Sequence, residues 1–264
     1  MGVLFLLGGS AASLIYAAVM ELATRTTGID EVIPDEAIRS MREEIWSKVW
    51  MSESIGGYLA ASPSVLIALF KGTLWFVPFI TLLIGFDQVS GDLQHRTIRY
   101  TAIRARRESI IAGKSLAIWG VVSTLLLGLH AFVWIITIVR GNGTLAEVAS
   151  WGPRIWALTV VYSAAYSGLT ILVSSLTKRP VISLFLGLIW FSTLWVIDLA
   201  VSFAKAAETE RYWIQYIGYA IPDYYDAWLV TPKAPQMIGG MVILLTFGIA
   251  ATALASWIVR RRDI

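Results

Sequence analysis

The sequence contains no cysteine, which excludes disulfide staples, thiol catalysis and thiolate-bound metal. Histidine occurs only at His95 and His130, leaving little material for a metal centre. No GxxxxGK(S/T) phosphate-cradling loop is present, so the chain is not expected to hydrolyse ATP alone. No HExxH pair is present either, and the Glu43-Glu44 doublet falls in a polar stretch, away from the membrane interior where an intramembrane protease would need it. Charged residues are scarce, at 15%. The basic ones lie in short segments flanking apolar runs, which argues against nucleic-acid binding. There is no internal repeat and no low-complexity linker, so one membrane domain over residues 1–264 is expected.

Hydrocarbon is what the chain has in abundance. Hydrophobic residues fill 57% of its 264 positions and the mean hydropathy is +0.69, more than a soluble fold of this length can bury, so lipid is its solvent. Segments spanning a membrane must be helices or closed barrels, because no water is there to satisfy backbone groups. The apolar runs are near helical spanning length and lack the alternation of a barrel. They predict an all-α integral membrane protein of about six transmembrane helices: Val3–Met20, Ser64–Phe86, Ile110–Val139, Ile155–Leu176, Val181–Phe203 and Met237–Val259, here spans one to six. The third is long enough to tilt or protrude. Span one begins almost at the initiator, with no basic residue before Arg25 and no clear small-residue cleavage site, so it is expected to be retained rather than cleaved as a signal.

Lys and Arg set the orientation, since cytoplasmic loops keep positive charge. Arg96, Arg99, Arg104, Arg106, Arg107, Lys114, Lys178, Arg179, Arg260, Arg261 and Arg262 share one side and outnumber the acidic residues there. The other side carries Asp30, Glu31, Asp35, Glu36, Glu43, Glu44 and Glu53, with Glu147, Glu208, Glu210, Asp223 and Asp226 further on. Both termini are therefore expected in the cytoplasm. The outer loop 21–63 is expected to hold a surface helix over Pro34–Met51, with Ile38, Met41, Ile45 and Val49 at helical spacing and Pro34 and Asp35 at its start. Trp46, Trp50, Trp151 and the aromatics between Tyr212 and Trp228 suit an interfacial belt or short helices at the outer surface.

The loop 87–109 between spans two and three is the most informative segment. It reads as a short cytoplasmic helix that Ser90 or Asp92 can cap, with arginines favouring its C-terminal end and the anionic leaflet. Leu93, Thr97 and Tyr100 fall near one face. A basic anchor with no partner is the plain alternative. This segment resembles the loop of type-2 ABC transporter permeases, in which an acidic residue, a Gly-Thr-hydrophobic run, a further arginine and a Gly-Lys pair precede the third span. Here the corresponding residues are Asp92, Arg96-Thr97-Ile98-Arg99, Arg107 and Gly113-Lys114. More loosely, the resemblance covers the whole chain. Two departures stand out: Arg96 replaces a frequent glycine, and no amphipathic helix precedes span one, so either the sequence begins late or this branch has lost it.

The resemblance implies that the loop holds a coupling helix seated in a separate ABC ATPase, with Asp87, Asp92, Arg96, Thr97, Arg99, Arg104 and Arg107 as coupling residues. ATP and Mg would be bound by that ATPase, not by this chain. It further implies a permease dimer, homo- or heteromeric, in the cell inner (plasma) membrane, possible periplasmic or other accessory subunits, and an outer segment 204–236 that re-enters the membrane as an external gate. Pro222, Tyr224, Tyr225 and Trp228 are gate candidates, their alternative being a belt against lipid headgroups.

Ionisable residues inside spans are costly and draw attention to Lys71, His130 and Asp198. Lys71 lies roughly 10 Å inside the outer end of span two at 1.5 Å rise per residue, and its stem can snorkel outward. Asp198 lies at a similar depth, so a Lys71–Asp198 pair across a gate is one expectation. His130 is expected to pack against a neighbouring helix. Gly9, Ser13 and Ala17 form a small face on span one for a dimer interface or for packing within one protomer. The rival reading is a secondary transporter or assembly factor without an ATPase, and an intramembrane enzyme is a distant third. Acidic residues deep in the spans, which ion coupling needs, are almost absent, favouring an external energy source. An apolar, aromatic cavity suits lipids, drugs, peptides or a polymer.

Overall fold

A computed structural model describes residues 35–97, 106–206 and 216–262, and every regular element among them is helical. Five helices are long and apolar enough to cross a membrane: Ser64–Gly85, Arg107–Val139, Leu145–Leu176, Pro180–Ala206 and Ala234–Arg261. They match spans two to six in order, while span one lies outside the described residues. At 33 residues span three is about 50 Å long, against a hydrocarbon core of about 30 Å, so it must protrude or tilt.

Span four starts ten residues before its expected boundary, at Leu145 rather than Ile155. Its start is a reciprocal capping box: Glu147 N–H donates to the Thr144 hydroxyl at 3.2 Å, and Thr144 N–H donates to the Glu147 carboxylate at 2.8 Å. Pro153, which misleadingly marks a boundary in the sequence, is carried inside the helix. Pro78 is likewise inside span two, where the Thr81 hydroxyl donates to the carbonyls of Val77 and Pro78.

The described residues fall into two compact units. The first comprises 35–73, Leu127–Ala157 and Ala227–Met237. In it, helix Asp35–Trp50 turns through Met51, whose φ of +50° is left-handed, into helix Glu53–Leu59. These two helices touch backbone to backbone at Gly56, where an added Cβ would lie 2.7 Å from the Glu43 carbonyl oxygen. Trp46 and Trp50, on the first of these helices, are buried within the unit, whereas Met41 of the expected apolar stripe is exposed. Arg154 lies over the rings of Tyr58 and Trp151 at 5.4 and 5.5 Å and donates to the Tyr58 hydroxyl.

The second unit comprises the described parts of Leu74–Leu126, Leu158–Asp226 and 238–262. Its centre is span four, where Tyr162, Ala165, Tyr166 and Ile171 are buried, while spans three and five expose large apolar side chains such as Leu116, Leu125, Phe185 and Ile189. Such exposure is ordinary when the surrounding solvent is hydrocarbon. Spans four and six cross at Gly168 and Gly248, each close enough that a Cβ would strike the other helix's backbone. Small residues permit this approach, which supplies the packing contacts that hold helices together in lipid.

Candidate coupling loop and outer segment

After Gly85, span two ends in a turn over 86–89 and a five-residue helix, Ser90–Gln94. Neither Ser90 nor Asp92 caps this helix. The Ser90 hydroxyl bonds back to the Phe86 carbonyl at 2.8 Å, and the helix has no cap from its own N-cap side chain. Instead Ser174, on span four, accepts the N–H groups of both Val89 and Ser90 at 3.1 Å and donates to Phe86 O at 2.8 Å. Two orphan donors are thus satisfied from another span. Val89, Ser90 and Leu93 are buried, and the short helix contacts span five.

The two ends of the loop motif meet. The Lys114 ammonium lies 2.7 Å from the Asp92 carboxylate and also donates to the Gln88 carbonyl. The other Asp92 oxygen accepts the Thr97 hydroxyl at 2.9 Å. One carboxylate therefore ties the short helix to span three and to the residues that follow it. Arg96, directly after the C-cap, adopts φ +58°, the left-handed conformation that closes many helices and that glycine adopts without steric cost. Asp87, Arg96 and Thr97 are exposed. Arg99, Arg104 and Tyr100 lie outside the described residues.

Around this loop the basic ends gather. The Arg107 guanidinium donates to the Arg262 carbonyl at 3.3 Å, Arg262 donates to Leu176 O at 2.6 Å, and Arg260 pairs with Glu108 at 3.1 Å. Partial burial lowers the Arg262 pKa. Three segments far apart in sequence, the start of span three, the end of span four and the end of span six, thus meet in one basic cluster.

In the segment between spans five and six, Pro222–Tyr225 forms a single 3-10 turn with Pro222 and Tyr225 buried. Tyr225 donates to the Tyr219 carbonyl at 2.9 Å and packs against Phe247, and burial raises its pKa. Tyr224 packs edge-on between Tyr219 and Tyr225. The residue that fastens this turn is Asp223, whose carboxylate accepts both Tyr162 and Tyr166 hydroxyls, the latter at 2.6 Å. In the sequence Asp223 stands out only as one acidic residue among others, and no pattern in span four distinguishes its two tyrosines as hydrogen-bond donors.

Lys71, Asp198 and Trp228 are each half-buried. Lys71 and Trp228 belong to the first unit and Asp198 to the second. The Lys71 ammonium lies 4.2 Å over the Trp50 ring, a cation–π contact. His130 is fully buried, with its ring edge-on to Trp134 one turn further along the same span. Gly9, Ser13 and Ala17 lie outside the described residues. No group of three or more metal-ligating side chains occurs among the described residues.

No curated protein matches the chain significantly. A family model described as ABC-2 family transporter protein matches residues 2–263, and the chain is therefore a multi-pass membrane protein of the ABC-2 family, the type-2 permeases of ABC transporters.

Proposed function

We propose that this chain is the membrane-spanning subunit of an ATP-driven exporter, working with ATP hydrolysis performed by a separate ABC ATPase that binds ATP and Mg. The loop 87–109 is the docking element, facing the cytoplasm with both termini. The observation that carries this reading is the anchorage of the loop: Ser174 and Lys114 tie the segment around Asp92 to spans four and three. Movement imposed on the exposed Asp87, Arg96 and Thr97 is passed to the spans rather than absorbed by a slack loop. Arg99, Arg104 and Arg107 add positive charge to the same docking element.

The permease domain, 1–264, is proposed to act as a dimer in the cell inner (plasma) membrane, with Gly9, Ser13 and Ala17 at the protomer contact. Lys71, Asp198, Pro222, Tyr224, Tyr225 and Trp228 belong to the outer gate, and a Lys71–Asp198 pair is part of that proposal. ATP binding closes the ATPase pair, moves the docking helices and rocks the spans outward.

Purification of the tagged chain from native membranes in mild detergent tests this. Recovery of an ABC ATPase, lost in D87A/R96A while elution and melting temperature are kept, is the expected result. A folded chain recovered without any ATPase in several detergents overturns the reading in favour of a secondary transporter or assembly factor.

A further inference from the structure

Within the second unit, spans three, four and six enclose an open groove of about 710 Å³, in the size range of molecule-sized binding sites, about 300–1,000 Å³. Ala164, Ser167 and Gly248 belong to its lining, at the close crossing of spans four and six. Leu116, Ile249 and Trp257, also lining it, are exposed to the surrounding hydrocarbon. Along span six the lining runs from Leu245 to Arg260, about 22 Å at 1.5 Å rise per residue. That is about one leaflet of hydrocarbon, half of about 30 Å, plus a headgroup layer.

The hydroxyls in the groove are already satisfied by protein. Ser115 and Thr252 bond each other at 2.9 Å, Thr252 and Ser256 bond the carbonyls one turn earlier, and Ser167 bonds that of Ser163. The wall therefore presents mostly hydrocarbon, suited to an alkyl chain and poorly suited to a polar ligand. Charge collects at one end only. Glu108 and Arg260 line that end, Arg261 lies over Trp257 of the lining, and Arg107, next to Glu108 in sequence, donates to the Arg262 carbonyl, so the end is predominantly basic. Arg261 stacks on Trp257 at 4.1 Å. The Arg260–Glu108 pair is exposed on both sides and is thus a weak tie that a stronger anion can displace.

From this match of apolar depth and terminal positive charge, we infer that the groove binds an anionic phospholipid, its acyl chain along spans three and six and its phosphate against Arg260 and Arg261. A second copy of the chain fits less well, because a symmetric contact there would bring two arginine clusters together. The inference does not depend on an ATPase partner.

The test uses the full chain reconstituted in phosphatidylcholine vesicles with trace spin-labelled phosphatidylglycerol or spin-labelled phosphatidylcholine. The wild type is expected to immobilise the anionic probe several-fold more than the neutral one. R260Q/R261Q is expected to bring the two to parity, whereas K178Q/R179Q, the same charge change at the neighbouring link, leaves the preference intact. A112F, filling the groove, is expected to remove the immobilised anionic component at unchanged elution volume. Equal immobilisation in the wild type, or equal loss in both charge variants, overturns the inference in favour of no site or of diffuse attraction. Loss of a dimeric elution peak in A112F with lipid binding intact overturns it in favour of a second copy in the groove. Should A112F fail to fold, the comparison of the two charge variants decides.

Discussion

Ser174 is one hydroxyl serving two backbone donors and one acceptor. Replacing it with alanine leaves the N–H groups of Val89 and Ser90 without their partner in a buried setting, a cost of about 1–3 kcal/mol. S174A is therefore expected to lower the melting temperature, measurable by fluorescence-detected size exclusion, and S174T to restore part of it. Arg96 predicts the opposite sign. A non-glycine residue in the left-handed region costs about 1–2 kcal/mol, so R96G is expected to raise the melting temperature slightly. A glycine at this position, as in the motif that the loop resembles, would adopt the φ of +58° without that cost. The motif could be read from the sequence residue by residue, but the contact between Asp92 and Lys114 could not, because a stretch of loop separates the short helix that carries Asp92 from span three, which carries Lys114. Ser174 was invisible for a simpler reason: a serine on an apolar helix carries no sign of where its hydroxyl points.

At the scale of elements, the crossing of spans four and six depends on two glycines. A Cβ on Gly168 would lie 2.8 Å from the Gly248 Cα, so G168L must push the helices apart, while G128A, with open space around it, serves as the neutral control. Overpacking costs about 1–3 kcal/mol, and a reduced yield of monodisperse protein for G168L alone is the expected outcome. The Asp223 fastening of the Pro222–Tyr225 turn leads to a second prediction. Removing one partner strands the others, at about 1–3 kcal/mol for a buried polar group, so D223A should destabilise more than Y166F. A thermal melt of both variants and their combination checks this, and the combined loss should be less than additive. Helix existence was legible because runs of Leu, Ile, Val and Phe dominate spans two to six. The start of span four was not, since Pro153 masks the Thr144–Glu147 box. Nor was the burial of Trp46 and Trp50, because a tryptophan near an outer helix looks the same whether it faces lipid headgroups or a protein core.

For the whole molecule, composition alone identified lipid as the solvent, and the charge partition fits the gathering of Arg107, Arg260 and Arg262 at the ends of spans three, four and six. The central claim is that the exposed residues after the short helix meet an ATPase. Because the sequence has no cysteine, a single introduced thiol reports one position without interference. The most direct measurement is crosslinking from T97C in native membranes with a short thiol-to-amine reagent, with Q236C as the control and mass spectrometry identifying the adduct. The account predicts an adduct from T97C to a chain carrying nucleotide-binding motifs, with a yield that changes on adding ATP and vanadate, and none from Q236C. A folded T97C chain that gives no such adduct, or the same one as Q236C, contradicts it.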